Sequence, residues 1–178
     1  MSVPEQPLLP PWRLVNSWAV GGLIAVGYAP NTDMLLAGSG TGLGVFDCLT
    51  GSRLARNHES DGYPEARTLL FDGFGPLDGQ KIRAAGLGGG GLPLSAGDGI
   101  WHLELEPEIY AGTSDYYKGR PCWQITLIDG RSWVGRESRH LRTCMLYHYL
   151  DFRAAGFSET GRSFVIATSD TLYMFAQE

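Results

Sequence analysis

The sequence predicts an all-β fold of antiparallel sheets. Three observations lead there. Apolar residues fall in short runs of strand length, and in one of them Trp101, Leu103 and Leu105 alternate with His102, Glu104 and Glu106, as a half-buried strand requires. The 178 residues include 25 glycines and 10 prolines, enough turn-formers to join many short strands. One strand–turn–strand pattern also occurs twice, and no long stretch carries a clean helical period.

The repeated pattern appears when Tyr28–Phe46 is laid over Phe157–Phe175 without a gap. Leu35 and Leu36 then meet Phe164 and Val165, Ser39 meets Thr168, Leu43 meets Leu172, and Phe46 meets Phe175. Each unit runs from an aromatic through a polar turn, an apolar strand and a small-residue turn to a second apolar strand. The polar turns, Ala29 to Asp33 and Ser158 to Arg162, are rich in residues that pre-set φ or hydrogen-bond their own backbone. A weaker third copy is expected between them. Gly86-Leu87 opens it, Ser95 to Gly99 is its turn, and Ile100 to Leu105 is its closing strand.

The stretch Gly27 to Gly51, GYAPNTDMLLAGSGTGLGVFDCLTG, resembles a blade of a β-propeller of the WD-repeat or quinoprotein type. Val45-Phe46-Asp47-Cys48-Leu49-Thr50-Gly51 is similar to the strand end of such blades, and Gly156 to Arg162 to their opening turn. The resemblance covers about a third of the chain and lacks the Gly-His and Trp-Asp dipeptides of true WD repeats. It implies about three blade-like sheets, because closed rings hold roughly 4–8 blades of about 40–50 residues. The expected arrangement is an incomplete or distorted β-propeller, or one completed by a partner. The motif implies a blade and no particular activity.

Taken in order, residues 1–11 hold four prolines and read as an extended segment before one all-β domain spanning 12–178. Trp12 to Trp18 and Leu23 to Tyr28 read as strands, with Trp12, Leu14 and Trp18 apolar. Arg53 to Glu65 is polar and reads as a loop. Thr68 to Phe71 is a short strand, Phe74 to Gln80 a turn-rich link, and Lys81 to Leu87 another strand. Gly88 to Gly91 completes a G-x-G-x-x-G with Gly86, but Leu92-Pro93-Leu94 is a poor helix start. The motif therefore reads as a loop rather than a dinucleotide site. Pro107 ends the strand before it or places it at an edge. Residues 110–121 form an aromatic loop, and Trp123 to Ile128 a strand that turns at Asp129-Gly130 into Ser132 to Val134. Met145 to Phe152 is a strand or short helix.

Net charge is −5, which disfavours binding nucleic acid or an anionic membrane through the whole surface. Cys48, Cys122 and Cys144 are odd in number and irregular in spacing, which is not a disulfide framework. No basic-then-apolar leader and no apolar run long enough to span a bilayer is present, so the cytoplasm is the expected compartment.

Candidate chemistry is sparse. Among His58, His102, His140 and His148 no two share ligand spacing. His58, Glu59 and Asp61 offer donors for a cation, but a solvated loop is the plainer reading. No G-x-S-x-G elbow occurs, and the cysteines read as small hydrophobes. Glu104 and Glu106 lie side by side on one strand, whereas a glycosidase pair faces across a cleft.

The sharpest surface feature is charge segregation. Asp98, His102, Glu104, Glu106, Glu108 and Asp115 form an acidic run containing no Lys or Arg, flanked by Tyr110, Tyr116 and Tyr117. Arg131 to Arg142 is a basic run that pairs with it internally, binds phosphate, or is simply solvated. Acidic charge steers a basic partner and aromatics anchor it. The expectation is a non-catalytic cytoplasmic protein-binding module without metal or cofactor. In concrete form it is a bacterial immunity protein neutralising a cognate toxin, and a nuclease-type toxin has a basic groove. The rival expectations are a hydrolase with its site where the blade-like sheets converge, and an oligomeric scaffold.

Overall fold

The computed structural model describes residues 8–109, 121–132, 142–148 and 151–178. Among these residues the chain is all-β, apart from two single-turn 3-10 segments at Gly75–Leu77 and Gly130–Ser132. The strands are β1 (Trp12–Ala19), β2 (Leu23–Tyr28), β3 (Met34–Ser39), β4 (Gly42–Asp47), β5 (Ser52–Asn57), β6 (Leu70–Asp72) and β7 (Lys81–Arg83). They continue as β8 (Ala85–Gly86), β9 (Trp101–Ile109), β10 (Pro121–Asp129), β11 (Arg142–His148), β12 (Phe152–Phe157), β13 (Ser163–Thr168) and β14 (Thr171–Gln177).

They form four sheets among the described residues, ordered β5-β4-β3-β2-β8, β1-β14-β13-β12, β11-β10-β9 and β6-β7. The described pairings are antiparallel. The N-terminal strand β1 adds to the C-terminal strand β14, with Trp12 opposite Gln177 and Ala19 opposite Thr171. A contact between the two ends of the chain is non-local, so no local sequence pattern predicts it.

Among the described residues three apolar cores fill the spaces between sheets. Val26 and Leu35 pack with Val165 and Met174 between the five-stranded and four-stranded sheets. Phe157, Phe164 and Phe175 pack with Leu103, Ile125 and Leu127 between the four-stranded sheet and β9-β10. Leu36 and Val45 pack with Phe71, Leu77 and Ile82 against β6-β7. Strand β13 explains its own sequence. Val165 and Ala167 serve one core and Phe164 and Ile166 the other, so every residue from Ser163 to Thr168 is buried. Alternate side chains point to opposite faces, and here both faces are covered.

The two repeated units have the same local geometry. Ala29 N–H donates to Met34 O at 2.9 Å and Thr32 N–H to Ala29 O at 3.2 Å. The aligned Ser158 N–H donates to Ser163 O at 3.0 Å and Gly161 N–H to Ser158 O at 3.0 Å. Register shifts also fall at aligned places, between Leu23 and Ala25 and between Phe152 and Ala154.

Several local expectations are corrected. The polar stretch after Arg53 begins as strand β5, an edge strand whose polar residues face solvent while its backbone pairs with β4. The expected strand from Lys81 to Leu87 is two short pieces, β7 and β8, in different sheets. Of the two arrangements expected of Pro107 the second holds: β9 runs on to Ile109 but is an edge strand of its sheet. Leu103 N–H and Trp101 O bond away from β10, to Leu94 and Ala96. Odd-numbered residues of β9 thus present their backbone to the side away from β10, where a proline removes a donor without breaking the β9–β10 ladder. Leu14 is 39% exposed while Trp12 is 3% exposed, although the two pair in unbroken register with β14, and a bulge between Leu14 and Asn16 changes the phase of the residues that follow. Gly86 to Gly89 closes on itself through two 3.0 Å hydrogen bonds, and no helix follows it, which excludes the dinucleotide arrangement. Asp129-Gly130 leads into a 3-10 turn rather than a two-residue hairpin. The region expected to follow, Trp133 and Val134, lies outside the described residues.

Candidate functional site

The outward face of β9 carries the acidic residues. Trp101 and Leu103 are buried, whereas Glu104 and Glu106 are exposed and His102 is half-buried. Their neighbours across β10 are neutral: Ile128 opposite His102, Thr126 opposite Glu104, and Gln124 opposite Glu106. The ion pairs among the described residues are Arg13–Glu178, Lys81–Asp72 and Arg131–Asp129, so neither glutamate is paired within that set. Ile109 stands 63% exposed at the end of the strand. Asp98 is exposed and caps the adjoining turn by accepting from Ile100 N–H at 2.8 Å. Tyr110, Asp115, Tyr116 and Tyr117 lie outside the described residues, as does the side chain of Glu108.

The basic run is engaged locally where it is described. Arg131 clasps Asp129 through 2.6–3.1 Å hydrogen bonds and lies over the Trp101 ring, 5.6 Å from its centroid. Hydrogen bonding from Arg131 holds the Asp129 carboxyl below its ordinary range. Arg136 and Arg139 lie outside the described residues, as does the side chain of Arg142.

A buried polar junction joins the two repeated units. Asp33, 8% exposed, accepts from Ser158 Oγ at 2.7 Å and from Ser163 Oγ at 2.6 Å. Thr160 Oγ1 lies 2.9 Å from each carboxylate oxygen. Among the described residues no Lys or Arg pairs with it, so three hydroxyls take the place of a cation. Asn31 N–H donates to Glu159 Oε2 at 2.8 Å beside this junction. Sequence reasoning placed Asp33 in a turn but missed the junction, because its hydroxyl partners belong to the other repeat.

Tyr28 and Cys48 lie next to this junction. Tyr28 OH is 3.2 Å from Ser163 Oγ, and the Tyr28 hydroxyl and Cys48 thiol are hydrogen-bond partners. Burial pushes both groups up from ordinary values of 10.0 and 9.0, and the Cys48 charge raises Tyr28 further. A raised folded-state value leaves stability intact below the unfolded value and erodes it as pH rises beyond. The urea midpoint is therefore expected to fall once pH exceeds 9.0, and Cys48→Ala should flatten that fall between pH 9.0 and 10.0. Parallel declines in the two proteins would remove Cys48 as the cause.

A half-open cavity of about 640 Å³ lies where β2, β7 and β12 approach one another. Tyr28, Phe157, Leu92 and Pro93 give it an apolar lining, continued by Pro30 and Leu70. Lys81 and Arg83 line it from β7, and Glu159 from the β12–β13 turn. Two glycines permit the close approach. A Cβ on Gly27 would sit 2.3 Å from Arg83 O, and one on Gly156 would sit 2.3 Å from Leu92 Cβ. The cavity draws on segments far apart in sequence, and no motif marks it.

The residues suggested for a hydrolytic or metal site do not line this cavity. His58, Glu59 and Asp61 are all exposed beyond β5. Asn57 Oδ1 accepts from Glu59 N–H at 2.9 Å and Asp61 Oδ1 from Tyr63 N–H at 3.1 Å, the local bonding of polar turns. No cluster of three potential metal ligands occurs among the described residues. No helix among them is long and apolar enough to cross a membrane, which leaves β-barrels unaddressed. Compared with known proteins, the chain matches no family model and no curated protein sequence.

Proposed function

We propose that this chain is a non-catalytic protein-binding module that presents the outward face of β9 to a basic partner. Its concrete form is a cytoplasmic bacterial immunity protein that covers the nucleic-acid groove of a nuclease-type toxin. The observation that carries the reading is the pair of exposed glutamates, Glu104 and Glu106, on an edge strand with neutral cross-strand neighbours. Carboxylates held in a row with no cation paired to them among the described residues keep their field available to an incoming partner. The exposed Ile109 at the end of the same strand offers apolar contact area beside them. Four sheets joined by three successive cores also fit a propeller-like scaffold, which presents strand edges and loops to partners.

Charge reversal tests this. Glu104→Lys with Glu106→Lys should leave the melting temperature within about 2 °C of the parent, because exposed substitutions shift stability by about 0.5 kcal/mol or less. Capture from the source organism's lysate, with identification by mass spectrometry, should yield one basic protein on the parent. Salt should release it, its activity should be silenced while bound, and the doubly reversed variant should fail to retain it. Equal retention by both proteins would sink the β9 reading.

A further inference from the structure

The cavity between β2, β7 and β12 is distinct from the β9 face, and its charges are unevenly satisfied. Lys81 is paired with Asp72, its cross-strand neighbour. Glu159 is engaged by the Asn31 N–H. Arg83 is exposed, lines the cavity, and has no carboxylate partner among the described residues. Lys81 and Arg83 share one face of β7, while Ile82 between them is fully buried in the core. The Gly27 contact fixes the backbone of Arg83 against β2, so its side chain is launched from a rigid strand. The accessible remainder of the lining is apolar, with Pro30, Leu70, Leu92 and Pro93, and Leu92 and Pro93 are held against β12 by the Gly156 contact and by Phe157 N–H donating to Pro93 O at 2.7 Å.

We infer that this cavity binds a small monocarboxylate with an apolar or aromatic body, its carboxylate on Arg83 and its body against Pro30, Leu92 and Pro93. A guanidinium fork takes a carboxylate in two parallel hydrogen bonds. A volume of about 640 Å³ lies within the range of small-molecule sites, which are mainly apolar with a few placed polar groups. The carboxylate of Glu159 on the same lining repels every anion, and a doubly charged one about twice as strongly. That favours a monoanion over a phosphate or a diacid. The inference is independent of the β9 surface, so either stands if the other falls.

The test uses 3-phenylpropionate as probe and follows backbone amide shifts of the full chain by NMR. Saturable binding is expected, with shifts at Phe157, Leu92 and Arg83. Phenylpropionamide and inorganic phosphate should bind at least about tenfold more weakly, as the loss of one charge-assisted contact implies. Arg83→Gln should weaken phenylpropionate by at least about tenfold, and Arg83→Lys, which keeps charge but not the fork, by less. Arg83 is exposed, so these variants should keep the parent's unperturbed amide spectrum elsewhere. The Glu104→Lys, Glu106→Lys variant should bind the probe like the parent. Absence of saturable binding, an affinity unchanged in Arg83→Gln, or phosphate binding as tight as phenylpropionate would each overturn the inference.

Discussion

Replacing Phe164 by alanine is expected to lower stability by about 3–5 kcal/mol, the usual cost of deleting a fully buried aromatic ring. Phe164 has no exposed surface. Its ring stacks on Phe175 at 4.4 Å between centroids and meets Trp12 at 5.0 Å and Phe157 at 5.4 Å. Those three neighbours come from three different strands, so they cannot close on the void together. The melting temperature should fall by roughly 10 °C or more. Ile109→Ala is the control: its side chain is 63% exposed, and it should change stability by about 0.5 kcal/mol or less. Urea unfolding of both variants checks this. A loss below about 1.5 kcal/mol for Phe164→Ala would mean that the aromatic cluster is not the anchor of β1, β12 and β14.

Replacing Asp33 by alanine should cost about 3 kcal/mol, with Asp33→Asn intermediate at about half that. The carboxylate is the shared acceptor for Ser158, Thr160 and Ser163. Without it the hydroxyls have only partial substitutes. Ser158 can turn wholly to Ser163 O at 3.3 Å, and Ser163 to Tyr28 OH at 3.2 Å. An asparagine keeps one acceptor oxygen, and the hydroxyls can rotate to accept from its amide. The order parent, Asp33→Asn, Asp33→Ala in urea midpoint, with a constant slope, is the expected readout. An alanine variant as stable as the parent would show that burying an anion without a cation offsets all that the hydroxyls return.

Both predictions concern non-local contacts, and that marks where the sequence stopped being informative. The alternation in β9, the turns of the two repeated units and the apolar run of β13 were legible, because each depends on residues a few positions apart. The strand β5 was not: its polar composition reads as a loop, and only pairing with β4 makes it a strand. The acidic face was legible as a charge pattern, since alternation places His102, Glu104 and Glu106 together. The cavity was not, because Tyr28, Arg83, Leu92 and Glu159 meet through close backbone approaches at Gly27 and Gly156.

The sequence by itself determined the all-β class, the positions of most strands and the outward side of β9. These follow from side-chain period and turn chemistry, which act over a few residues. Only the tertiary structure decided that β1 pairs with β14, that Asp33 meets hydroxyls from the other repeat, and that one arginine faces a cavity without a carboxylate partner among the described residues. Those outcomes depend on which sheet packs against which. Many chain segments satisfy the same apolar pattern, and the choice among them is made by close packing and hydrogen-bond satisfaction across the whole molecule.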